Sequence, residues 1–187
     1  LTPPFVELCD AYFGAAPLVV SAGTRTGIRI LYDNPRDVGA DRIADAVAAL
    51  KLYGGPAIVV DFGTATVFDG VSAKGEYVGG AIAPGMTVAA DALYHATSQL
   101  RRVELHRPPD AIGKNTVHAI QSGLVLGYAE MVKGMVARFD EELGGGAKVV
   151  ATGGLAGVIG QETDIFDAVN LDLTLTGLRL IHDMNTR

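Results

Sequence analysis

Cysteine occurs once in these 187 residues and tryptophan not at all. One thiol excludes an intramolecular disulfide framework, and Cys9 has no second cysteine with which to hold zinc. Cations are few as well. Fifteen Lys and Arg stand against 21 Asp and Glu, a formal charge of −6, and no basic run occurs. That balance argues against nonspecific nucleic-acid binding and against an acidic membrane surface. Long apolar runs are also missing: uncharged stretches such as 78–90 contain Gly, Pro and Thr and are too short to cross a bilayer. No charged segment precedes an apolar one at the start, so no signal peptide is expected. The length allows one large domain or two small ones, with a core that needs no metal or disulfide staple. A soluble, cytoplasmic protein is expected. Because the chain starts at Leu1 rather than Met, a natural N-terminal part is expected to precede it.

Glycine, by contrast, is abundant, with 24 residues. Most of these close apolar runs, where turns belong: Gly54-Gly55, Gly63, Gly79-Gly80, Gly85, Gly144 to Gly146 and Gly153-Gly154. Between them, Leu18–Ser21 and Ile28–Leu31 read as short strands. From Asp41 the period becomes helical, with Ile43, Val47 and Leu50 on one face. Ala57–Asp61 is an apolar run of the kind found inside a sheet. Thr66–Val71 and Tyr77–Ile82 follow around the turn Ala73-Lys74-Gly75, which predicts an antiparallel meander. A helix is expected from Pro84 to about Thr97, then a Pro-broken loop over Leu100–Pro109. Val117, Ile120, Leu124, Tyr128, Met131, Met135 and Phe139 step by three and four, predicting one long helix over Lys114–Leu143. A buried strand at Lys148–Thr152, a short helix at Leu155–Ile159, a strand at Asp167–Asn170 and a helix at Leu173–Asp183 complete the pattern. The order from Ala57 is β-β-β-α-α-β-α-β-α, a mixed α/β fold with a boundary at Gly54-Gly55.

Four segments could carry chemistry. In Asp61-Phe62-Gly63-Thr64-Ala65-Thr66 an acidic residue ends an apolar strand and a small-residue turn follows. Such a turn brings backbone N–H groups to phosphate, and the carboxylate can hold a cation; a plain hairpin would have the same sequence. Thr152-Gly153-Gly154-Leu155-Ala156 follows a second strand and could lie flat against a nucleotide or be an ordinary turn. Gly39-Ala40-Asp41-Arg42 opens a helix, with Asp41 either an N-cap or a general base beside an anion-binding fork. In Gly113-Lys114-Asn115-Thr116, the polar residues either grip a hydroxylated ligand or cap the helix. His95, His106, His118 and His182 show no metal-ligand spacing.

Taken in order, these segments resemble the type III pantothenate kinases, the family that includes the Bvg accessory factors, within the superfamily of acetate and sugar kinases, Hsp70 and actin. The match runs from about Tyr32 to the C-terminus and includes Gly-Gly-Ala-Ile-Ala-Pro-Gly at 79–85. The resemblance implies an actin-like ATPase fold of duplicated ribonuclease-H-like, mixed-sheet units, the first incomplete. Residues 1–53 would be the remainder of the N-terminal lobe and 54–187 the C-terminal lobe. It implies ATP-dependent phosphorylation of pantothenate to 4'-phosphopantothenate, the first step of coenzyme A biosynthesis, by a homodimer.

Carried over motif by motif, Asp41 is the proton acceptor. Tyr32, Gly39, Ala40, Asp41, Arg42 and Thr116 line the pantothenate site. Thr64 touches ATP, with the Gly153-Gly154 turn as a further nucleotide site, and Asp61 is the ligand of a monovalent cation, potassium or ammonium. Magnesium on the phosphates is expected, with its protein ligand in a first phosphate loop, D-x-G-N-T, which no residues here match. Two alternatives stay open: a non-catalytic accessory or sensor protein of the same fold, and another small-molecule kinase of the superfamily.

Overall fold

The computed structural model describes residues 2–21, 23–97 and 100–186. A six-stranded mixed sheet lies at its centre. Its strands are β1 (Arg29–Ile30), β2 (Ala57–Phe62), β3 (Ala65–Val71), β4 (Glu76–Pro84), β5 (Lys148–Thr152) and β6 (Ala168–Val169). They lie in the order β1-β4-β3-β2-β5-β6. The expected meander is present, since β2, β3 and β4 pair antiparallel in sequence. β5 and β6 add on in parallel beyond β2. From Ala57 onward the element order is the one the sequence predicts, and the arrangement is that of a ribonuclease-H-like unit.

Helices cover both faces of this sheet, and that is why β2 is apolar almost throughout. Ile58, Val60 and Phe62 share one cluster with Phe68, Met86, Val132 and Val136. On this side lie α3 (Met86–Ala96), α4 (Thr116–Gln121) and α5 (Gly127–Leu143), with α6 (Ala156–Gly160) beside them. Val59, on the opposite face, packs with Ala48, Ala49 and Leu173. These come from α2 (Ala40–Tyr53) and α7 (Leu173–Asn185). Two consequences matter for function. Asp61 and Asp69 share the Val59 face, because Asp69 stands opposite Val59 in the ladder and Asp61 follows it by two. The start of α2 lies over that same face.

Several expectations need correction. Leu18–Ser21 forms no strand among the described residues; Leu18 and Val19 are exposed, and β-branched side chains make a strand only beside a partner. The helix after β4 begins at Met86, because Pro84 still pairs with Ala65 and Gly85 is its N-cap. The long helix starts at Thr116 and is interrupted by a π segment over Ser122–Leu126. Asn115 caps it, its side chain accepting from the His118 N–H at 2.9 Å. A first helix, α1 (Thr2–Phe13), buries none of its residues.

Candidate active site

β2 and β5 run parallel and adjacent, with Asp61 directly opposite Thr152. The two glycine turns that follow them are therefore neighbours, which places both sequence motifs at the carboxyl edge of one sheet. Crevices beyond such edges are where open α/β sheets bind ligands. The Leu155 N–H donates to the Phe62 carbonyl at 3.3 Å and ties the turns together. Gly153 has φ +88°, and a Cβ there would overlap Asp61 Oδ1 and the Phe62 backbone. Only glycine lets the second turn lie this close to the carboxylate. On the other side, the Gly85 N–H donates to the Thr64 carbonyl at 3.0 Å and closes the first turn. Thr64 itself is exposed.

Asp61 is half-buried in this cradle. Burial, followed by the charges of Asp41 and Asp69, pushes its carboxyl above the ordinary value. A carboxylate surrounded by like charge has no cationic partner among the described residues, so a bound cation would relieve that charge. Among the described residues no group of three His, Cys, Asp or Glu is placed to hold a metal ion.

At the start of α2 the N-cap is Gly39, not Asp41. Asp41 sits in the first turn, exposed, its Oδ1 accepting from the Arg42 N–H at 2.9 Å. Gly39 thus takes the N-cap position, while the exposed Asp41 carboxylate satisfies a first-turn N–H. The Arg42 side chain turns inward and is buried, at 8% exposure. Its Nε and Nη2 donate to Asp69 Oδ1 at 2.9 and 2.6 Å, and the Tyr77 hydroxyl donates to the same oxygen at 2.8 Å. Gly80 makes room for this junction, since a Cβ there would overlap the Phe68 carbonyl and crowd both Arg42 and Asp69. Tyr32 lies over Tyr77, ring centroids 6.3 Å apart, and approaches Gly79.

The pKa directions follow from this packing. Burial opposes the charge on Arg42, but the hydrogen bonds and charge of Asp69 outweigh it, with help from Tyr77 and Tyr32, and hold its pKa above the usual value. Burial pushes the Asp69 carboxyl up, against the pull of Arg42 and Tyr77. The two directions pull apart across one pair. Three donors on a single oxygen are the geometry of a carboxylate, and we take the pair as ionised.

One turn beyond Asp41 lies Asp45, only 2% exposed. Burial pushes its carboxyl up to about 7 against the Thr174 hydrogen bond, and Asp61, Asp69 and Asp41 add to the rise. Like charge thus gathers on Asp41, Asp45, Asp61 and Asp69, while the buried guanidinium of Arg42 is paired, among the described residues, with Asp69 alone. Asp45, Asp69 and Tyr77 were not among the sequence candidates. A signal existed for two of them: an acid inside the apolar run Ile43–Leu50, and another inside buried β3.

Thr116 lies elsewhere. It lines a groove with Leu93, Ala119, Ile120, Gly123 and Leu124, at the head of the helical run on the other side of the sheet. It is exposed, as is Lys114. Tyr32, Gly39, Ala40, Asp41 and Arg42 gather around the α2 start, and Asp61, Thr64, Gly153 and Gly154 gather at the strand ends. Among the described residues, nothing brings Thr116 to either group.

A family model described as type III pantothenate kinase matches residues 1–138. The type III pantothenate kinase of Moorella thermoacetica is 54% identical over 186 residues, covering 100% of this chain and 73% of that protein. That of Roseiflexus sp. is 55% identical over 185 residues, covering 99% and 72%. A solved structure described as a Baf family transcriptional activator, from Campylobacter jejuni, superposes with a TM-score of 0.61 at 24% identity, over 84% of this chain and 68% of that one. At that identity the likeness speaks for the fold.

Proposed function

The chain belongs to the type III pantothenate kinase family, and on that footing we propose that it transfers the γ-phosphoryl group of ATP to pantothenate. The product is 4'-phosphopantothenate, which opens coenzyme A biosynthesis. One observation carries the chemical reading: an exposed, uncapped Asp41 stands near Asp61, which sits between two glycine turns at the carboxyl edge of the sheet. Pantothenate binds along Tyr32, Gly39, Ala40 and Arg42, and ATP phosphates lie against Thr64, Gly153 and Gly154.

In the transfer, Asp41 accepts the proton of the attacking hydroxyl as its oxygen bonds to the γ-phosphorus. The bond from that phosphorus to the β-bridging oxygen breaks, ADP leaves, and Asp41 returns its proton to water. Positioning and charge neutralisation do most of such work. Asp61 would hold the monovalent cation, potassium or ammonium, whose charge offsets the phosphates. Magnesium would travel with ATP.

Two further proposals complete the reading. Residues 1–53 and 54–187 belong to successive lobes, although β1 and α2 pack onto the sheet and helix of the second. The enzyme works as a homodimer in the cytoplasm, and Thr116 reaches the pantothenate site of the partner subunit. No helix among the described residues is long and apolar enough to cross a membrane. Incubation of the protein with labelled ATP and pantothenate, with and without potassium, tests the reading. Potassium-dependent transfer of label to pantothenate is expected. ATP turnover without a labelled pantothenate product would sink it.

A further inference from the structure

Arg42 is placed by resemblance on the pantothenate site, yet its guanidinium is almost wholly buried and spends its Nε–Nη2 edge inside the protein. An arginine offers five N–H donors in a rigid fork, and two are committed here to Asp69 Oδ1. The commitment fixes the plane of the fork, because two donors converge on one acceptor. It also fixes which edge remains. Tyr77 supports the acceptor from behind: its hydroxyl reaches the same oxygen, and its ring lies 5.7 Å from the guanidinium carbon. Burial and Asp69 push the Tyr77 hydroxyl well above its ordinary pKa, so it stays a donor. Tyr32, half-buried, stands beside the Tyr77 ring at a centroid distance of 6.3 Å. The Arg42 backbone N–H meanwhile holds Asp41.

We propose that Asp69, backed by Tyr77, is a positioning residue for the substrate: it takes one edge of the Arg42 fork so that the other edge and the Tyr32 hydroxyl are presented together to pantothenate. The inference rests on the reading of this site as a pantothenate site. Neither Asp69 nor Tyr77 touches the substrate; both act through Arg42. Gly80 is part of the same device, because any side chain there would crowd the fork and its acceptor. A buried pair serving only stability would leave substrate affinity alone when loosened without unfolding. A positioning pair would not.

The test compares steady-state kinetics of the protein with those of Asp69→Asn, Tyr77→Phe and Arg42→Ala, and of Asp69→Asn combined with Arg42→Ala. Asn keeps an acceptor oxygen but removes the charge that fixes the fork, an effect of about tenfold, so KM for pantothenate should rise by about that factor in Asp69→Asn and less in Tyr77→Phe. KM for ATP should stay within about twofold, since the nucleotide turns lie at the strand ends. In the Arg42→Ala background, Asp69→Asn should add little. Tyr77→Phe keeps the ring and its packing, so it carries the test alone should Asp69→Asn fail to fold. An unchanged pantothenate KM in a folded Tyr77→Phe or Asp69→Asn overturns the proposal, as does an equal rise in both KM values. A wild-type protein that does not phosphorylate pantothenate removes the site reading itself, and this inference with it.

Discussion

Thr174 and Asp45 stand 129 residues apart in sequence, yet the Thr174 hydroxyl donates to Asp45 Oδ1 at 2.6 Å. The bond joins α2 to α7, the helix pair that covers the site's face of the sheet. It holds a carboxyl whose pKa is pushed up to about 7 by burial, with Asp61, Asp69 and Asp41 adding like charge. A folded-state pKa raised above the unfolded value means that the folded protein binds the extra proton. Stability from this group is therefore full below pH about 4 and is lost as pH rises to about 7, by about 4 kcal/mol at most. Asp45→Asn, an uncharged near-isostere, should flatten that decline. Denaturant unfolding of both proteins at pH 4 and pH 8 checks this: the variant should gain on the wild type at pH 8 and show little gain at pH 4. Parallel pH dependence in the two proteins would refute it.

Asp41→Asn should cost turnover far more than stability. The helix is capped by Gly39, and an Asn side chain can still accept from the Arg42 N–H. A first-turn carboxylate contributes about 0.3–1 kcal/mol through the helix dipole. Loss of a general base costs about 10²–10⁴-fold in rate. Turnover and thermal unfolding, measured side by side, separate the two. Near-normal turnover would take the proton-acceptor role from Asp41.

How much of this could be read beforehand depended on whether the signal was local. The apolar run ending at Asp61 announced a buried strand, and the strand's burial on both faces is what made the acid stand out. Gly153 was legible as a turn residue, but the reason that no side chain fits, the nearness of Asp61, arises only when β5 lies beside β2. The same holds for Gly80 and Arg42. The Arg–Asp junction links residues 27 apart across a helix and a sheet, so a two-residue motif, Asp41-Arg42, concealed opposite fates: one side chain open, the other buried. β1 was visible as a β-rich stretch, but its parallel pairing with β4 depended on a long-range crossover. The π segment left no trace in an apolar period that steps by three and four regardless.

Asp61→Ala should abolish or weaken activation by potassium. The carboxylate lies against Gly153 and near Gly63, where a cation would be close to bound phosphates. Its pKa is held up by burial and by Asp41 and Asp69, so a bound cation would relieve charge already present. A titration of rate against potassium, at fixed ionic strength set with a bulky cation, reads the effect directly. The wild type should saturate and the variant should show a flat or strongly right-shifted response. An unchanged potassium curve would assign the cation elsewhere.

Gly127→Leu should separate the subunits of the proposed dimer. Gly123, Gly127 and Gly134 break the helical run that ends in α5, and each costs about 1 kcal/mol relative to Ala. Among the described residues, a Cβ at any of the three would meet nothing within 4 Å. Packing against those residues, the simplest reason for such glycines, is therefore not what they serve. The open stripe adjoins the groove of Leu93, Ile120 and Leu124 that Thr116 borders, and Val117 on the same helix is exposed. A second copy laid along these glycines could approach backbone to backbone and deliver Thr116 to a site this chain cannot reach by itself. A leucine at 127 has room in the isolated subunit and is a better helix former than glycine, so the fold should survive. In sedimentation the variant should run as a monomer, with pantothenate affinity reduced because Thr116 is withdrawn. A folded variant that still sediments as a dimer and binds pantothenate normally would take this helix out of the interface.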